Sequence, residues 1–95
     1  MGADGFFMQA IVKGKSNELI CVILNTNGSD SFCYAFAVNI STKTATQIWS
    51  VSYVSSNVKV YENTNYVIIC VSRSGERAAV VIQKSTYTIS DPFTT

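Results

Sequence analysis

Histidine is absent from this 95-residue chain, proline occurs once, and only 14% of the residues are charged. Each shortage excludes something. Without histidine there is no side chain whose unperturbed pKa lies near neutrality, so the usual serine and cysteine hydrolase designs and most zinc sites drop out. The six carboxylates (Asp4, Glu18, Asp30, Glu62, Glu76, Asp91) fall at segment ends and turns, and no spacing forces two of them together. No catalytic residue, metal ligand or cofactor is therefore expected, and the chain reads as a non-enzyme.

Net charge is nearly absent as well, with seven Lys and Arg against six Asp and Glu. A balance of +1 gives no long-range field to steer nucleic acid or an anionic surface toward the protein. No apolar run approaches the roughly 18 residues of a membrane span. The stretch FFMQAIV is short for a signal-peptide core and follows Asp4 instead of a basic segment. Cys21, Cys33 and Cys70 match no C-x-x-C motif and sit among apolar neighbours, so they read as reduced, buried thiols, with one disulfide between neighbouring strands, leaving an odd thiol, as the alternative. That slightly favours the cytoplasm.

What is abundant is apolar residue, 47% of the chain, rich in β-branched and aromatic types. No window shows a 3.6-residue period with helix caps. Extended segments are predicted at roughly 5–13, 18–25, 31–40, 45–55, 57–62, 65–73, 77–84 and 86–90, separated by turns such as KGKSN, NTNGSD, STKT, ENTN and SRSGE. One domain of about eight strands follows, a small antiparallel barrel or two-sheet sandwich without substantial helix.

The segments differ in their faces. TQIWSVSYVS alternates cleanly, placing Trp49, Val51 and Tyr53 opposite Ser50 and Ser52, one face buried and one wet. In SFCYAFAVNI the large residues Phe32, Tyr34, Phe36, Val38 and Ile40 share one face, and Cys33, Ala35 and Ala37 the other. The bulky face is expected in the core, with the small face open to close approach by a backbone, a sheet or a ligand. LICVIL (19–24) and YVIICV (66–71) are apolar on both sides. A faint self-similarity at an offset of 47 lays Leu19–Leu24 on Tyr66–Val71 and Gly28 on Gly75.

VKVYENTNYVIICVSRSGERAAVVIQKS, residues 58–85, resembles the last hairpin of lipocalin-type barrels, and Gly5-Phe6-Phe7 resembles a degraded form of that family's early Gly-x-Trp. The resemblance implies a calycin barrel with an apolar ligand in its lumen. The chain is much shorter than a full lipocalin and has no helix-forming segment after Thr86. YAFAVNISTKTATQIWS, 34–50, is similar to a propeller-blade hairpin ending at Trp49, a likeness that implies assembly, because two blades cannot close a propeller.

Two functions follow. In a two-layer sandwich each strand buries one face, so Ile20, Val22 and Leu24 on one side and Leu19, Cys21 and Ile23 on the other cannot all be covered by one partner sheet. A β-module that self-associates or binds a protein partner through apolar strands accounts for this. The alternative is a carrier of a small apolar ligand in a barrel lumen. Partner or ligand contacts are expected at Leu19, Phe32, Tyr34, Phe36, Trp49, Tyr53 and Tyr66.

Overall fold

The computed structural model describes residues 5–27, 30–52, 54, 58–73 and 75–92. It is all-β, with eight strands: β1 (Gly5–Lys13), β2 (Glu18–Asn27), β3 (Asp30–Asn39), β4 (Thr44–Ser52), β5 (Lys59–Glu62), β6 (Tyr66–Arg73), β7 (Glu76–Gln83) and β8 (Ile89–Ser90). They form two antiparallel four-stranded meanders, β1-β2-β3-β4 and β5-β6-β7-β8, which face each other as a sandwich and do not close into a barrel.

The turns use the chemistry that the sequence offers. Asn39 Oδ1 accepts hydrogen bonds from the Ser41 and Thr42 amides, both at 3.0 Å, and closes the β3–β4 connection. Asn63 Oδ1 does the same for the Asn65 and Tyr66 amides at 2.8 Å between β5 and β6. Gly75 has φ of 84° in the two-residue link between the paired Arg73 and Glu76, a conformation without steric cost only for glycine. Asn17 and Lys43 take φ of 64° and 59° at the other hairpin ends.

One core lies between the sheets. The first sheet contributes Val12, Ile20, Val22, Leu24, Cys33, Ala35, Trp49 and Val51, and the second contributes Val67, Ile69, Val71, Val80 and Ile82. Val54 and Val58 fill the corner where the chain passes from one sheet to the other. Trp49 and Val51 are buried while Ser50 is exposed, so β4 alternates as its sequence implies.

On β3 the expected orientation is reversed. Cys33 and Ala35 have zero exposure and Ala37 is buried, whereas Phe32, Tyr34, Phe36 and Val38 are only half-buried and Ile40 is exposed. The small residues let the second sheet approach closely enough for Val80 and Ile82, also at zero exposure, to pack into the shared core. The large side chains are left on the outer surface.

The sheets are stacked in parallel alignment. β1 touches β5, and the Trp49 indole on β4 reaches Asp91 just after β8. At one end, the Lys13–Ser16 turn lies beside Thr64, Asn65 and the Gln83–Ser85 segment. At the other, Val54 donates its amide to Ser31 at the start of β3 and bridges to Arg73 at the end of β6. β1 and β5 therefore run in the same direction, and the second sheet is a displaced copy of the first.

Candidate interaction face

Directly opposed residues in an antiparallel pair share a face, so the strand registers define the outer surface of the first sheet row by row. Lys13, Leu19, Val38 and Ala45 form one row; Ile11, Cys21, Phe36 and Gln47 the next; then Met8, Ile23, Tyr34 and Ser50; then Phe6, Asn25, Phe32 and Ser52. Across β1 to β3 these twelve positions carry one charge, Lys13, and one amide, Asn25. The polar members Gln47, Ser50 and Ser52 are confined to β4 at the edge.

This surface is open. Phe6 is 71% exposed, Ile11 55% and Met8 52%, and the side chains of Leu19, Cys21, Ile23 and Val38 are half-buried by their neighbours on the same face. Phe32, Tyr34 and Phe36 run down its middle as a continuous aromatic series. The Phe32 and Tyr34 rings lie 6.2 Å apart at 24°, and Tyr34 and Phe36 5.9 Å apart at 35°. Such spacings hold rings in favourable offset contact and make the series a stiff ridge.

A register shift between Met8 and Ala10 keeps both halves of β1 in phase with the sheet, with Met8 and Ile11 outward and Ala10 and Val12 inward. Without it the apolar side chains of one half would change faces.

The outer face of the second sheet is partly basic, and it is small in side chain around Cys70 and Ala79. Tyr61, Ile68 and Val81 form one of its rows and Lys59, Cys70 and Ala79 the next, with Ser72 and Arg77 beyond. Lys59, Cys70, Ser72, Arg77 and Ala79 line a shallow depression. Cys70 and Ala79 are the small members of the row that begins at Lys59, and Arg77 stands in the next row on the strand of Ala79.

Of the residues singled out from sequence, Leu19, Phe32, Tyr34 and Phe36 come together on the outer face of the first sheet. Tyr66, 39% exposed, stands on the outer face of the second. Trp49 belongs to neither outer face: it points into the core, and its Nε1 donates to Asp91 Oδ2 at 2.6 Å. Tyr53 lies outside the described residues. Phe6, Met8 and Ile11 were not anticipated as contact residues. Their signal was the run FFMQAI, apolar at nearly every position in a strand that turns out to be at a sheet edge.

The cysteines divide by face. All three are free; Cys33 is buried in the core, while Cys21 and Cys70 are half-buried on the two outer faces. Burial pushes the Cys33 thiol up to about 12 and raises Cys21 as well. At one end of the sandwich the Tyr87 hydroxyl donates to Glu18 Oε1 at 2.7 Å and accepts from the Lys15 amide at 3.0 Å, and Lys15 Nζ sits 4.6 Å from the ring centroid. Desolvation first, and the Glu18 hydrogen bond second, raise the Tyr87 pKa.

Among the described residues no group of three His, Cys, Asp or Glu side chains could hold a metal ion. Nor is any helix long and apolar enough to cross a membrane. No family model, curated protein or solved structure matches this chain.

Proposed function

We propose that this protein is a non-enzymatic β-sheet module that associates with protein, its own copies included, through the outer face of its first sheet. The observation that carries this is the aromatic ridge of Phe32, Tyr34 and Phe36, flanked by Met8, Ile11, Cys21 and Ile23 and left outside a core that is already complete. A fold spends its large aromatics inside where it can. Here the inside is taken by small residues on β3, and the large ones face outward together.

Three strands about 4.8 Å apart and four rows about 6.7 Å apart give an apolar footprint of roughly 400 Å². That is the size of the largest apolar patch on a typical monomer, about 300–600 Å², which is often functional. At ~25 cal/mol per Å², covering it is worth on the order of 10 kcal/mol. Association itself costs about 4–15 kcal/mol, so one such contact can suffice for a weak complex and a second strengthens it.

Carriage of a small apolar ligand in a lumen has less support. The sheets do not close, and Ile20, Val22, Cys33, Val67, Ile69, Val80 and Ile82 fill the space between them at zero exposure.

Light scattering across a concentration series tests the proposal, together with binding of an environment-sensitive apolar dye. The wild type is expected above the 10.4 kDa of one chain, or dye-binding as a monomer, and Tyr34→Lys with Phe36→Lys abolishes both signals while the circular dichroism spectrum is kept. A monomer that binds no dye would overturn the reading.

A further inference from the structure

The two outer faces of this chain are complementary to each other, and the complementarity is already used once inside the molecule. In the first sheet Asn27 pairs with Asp30 across the β2–β3 link, and in the second Arg73 pairs with Glu76 across the β6–β7 link. Laid turn on turn, the two central hairpins correspond at an offset of 46. Their registers then agree pair by pair: Cys21 with Phe36 becomes Val67 with Ile82, and Ile23 with Tyr34 becomes Ile69 with Val80.

The registers fix the offset at 46, and the one-residue difference from the 47 suggested by sequence exchanges which faces of the two hairpins correspond. The consequence is directional. The inner face of the first sheet (Val22, Leu24, Cys33, Ala35) corresponds to the outer face of the second (Ile68, Cys70, Ala79, Val81). The outer face of the first (Ile23, Tyr34, Phe36) corresponds to the inner face of the second (Ile69, Val80, Ile82). With the sheets in parallel alignment, this is a head-to-tail repeat with a front and a back, not a two-fold pair.

Within the chain, a front with small residues on its third strand, Cys33 and Ala35, shares one core with a back that carries the larger Val80 and Ile82 on its own third strand. The same contrast remains open on the outside. The free front has Ala79 beside Cys70 in a shallow depression, and the free back has the Phe32, Tyr34 and Phe36 ridge. Lys59 and Arg77 at the depression place cations where they can lie over incoming ring faces.

We infer that copies of this chain stack front to back, the aromatic ridge of one seated in the Cys70/Ala79 depression of the next, repeating the contact its two sheets make internally. This rests on the proposed association through the first sheet and adds the second sheet's outer face as its receptor. A front-to-back contact is heterologous, so it closes into a ring or runs on as a fibre. Radial stacking of four-stranded meanders closes at about 4–8 sheets, hence two to four copies of this two-sheet chain. In a closed ring each copy gains two contacts, and neither apolar face stays wet.

Mixing two face variants decides it. Tyr34→Lys spoils the back and leaves the front; Ala79→Arg, at an exposed position, spoils the front and leaves the back. The wild type is expected by native mass spectrometry at a discrete mass of two to four chains, each variant alone at 10.4 kDa, and an equimolar mixture at one heterodimer of about 20.8 kDa that grows no further. If Ala79→Arg keeps the wild-type mass, the second sheet is not the receptor; the association proposed above stands, and the front-to-back inference falls. A wild type that stays monomeric yet binds the apolar dye has the same meaning, since the face then serves another protein. Circular dichroism confirms that each variant is folded; Phe36→Lys and Cys70→Arg form a second pair that must give the same complementation.

Discussion

Trp49 Nε1 donates a 2.6 Å hydrogen bond to Asp91 Oδ2, joining the edge strand of the first sheet to the residue that follows the last strand of the second. The indole ring is buried and the bond is charge-assisted, so its loss leaves a buried donor unpaired. Asp91→Ala is expected to lower stability by about 1–3 kcal/mol. Trp49 is the only tryptophan, so denaturation followed by its emission reads the change directly. An unaltered midpoint would show that this contact does not hold the sheets together.

Gly14 is fixed by Tyr87. A Cβ at position 14 would stand 2.5 Å from the Tyr87 hydroxyl and 3.0 Å from Ile20 Cγ1. Gly14→Ala therefore displaces the tyrosine and breaks its bonds to Glu18 and the Lys15 amide, at a cost of about 1–2 kcal/mol. In a Tyr87→Phe background the hydroxyl is gone and the cost should shrink by half or more, a coupling that a double-mutant cycle measures.

Alkaline pH should weaken the fold through Cys33. Its folded pKa of about 12 lies above the ordinary 9.0, so the folded state holds the proton longer than the unfolded chain does. The stabilisation is complete below pH 9 and is lost as pH rises from 9 toward 12. Tyr87, raised above 10.0, acts in the same direction at the upper end of that window. Urea midpoints from pH 8 to 11 should fall, and Cys33→Ala should flatten much of the slope.

β3 offers a sharper contrast. Ala35→Leu adds volume at a position of zero exposure in the shared core, and overpacking of this kind costs about 1–3 kcal/mol. Tyr34→Ser, one residue away on the outer face, should change the stability of the dilute monomer by less than about 1 kcal/mol. Equal losses at the two positions would contradict an inward Ala35 and an outward Tyr34.

That strand also shows where sequence stops being informative. All eight strands were legible, because Asn, Gly and Ser clusters interrupt β-branched and aromatic runs at regular intervals; the SSN turn expected at 55–57 lies outside the described residues. The two-sided greasiness of β2 and β6 was legible too, and it corresponds to the outer rows around Cys21, Ile23 and Ile68. Alternation in β3 separates large from small side chains but does not say which set faces the other sheet. That depends on how near the sheet comes, and Ala35 and Cys33 allow it nearer than Tyr34 and Phe36 would. The faint self-similarity at 47 differs by one residue from the 46 at which the two hairpin registers match, and that residue decides which faces correspond.

Cys21 and Cys70 report on the two outer faces at once, with Cys33 as the buried internal standard. The most direct measurement is the rate at which each thiol is labelled, site by site, from dilute monomer to concentrated assembly. Cys33 should label slowly throughout, whereas Cys21 and Cys70 should react faster than Cys33 when dilute and become protected together as the mass rises. Rates for Cys21 and Cys70 that stay the same at every concentration would contradict the account.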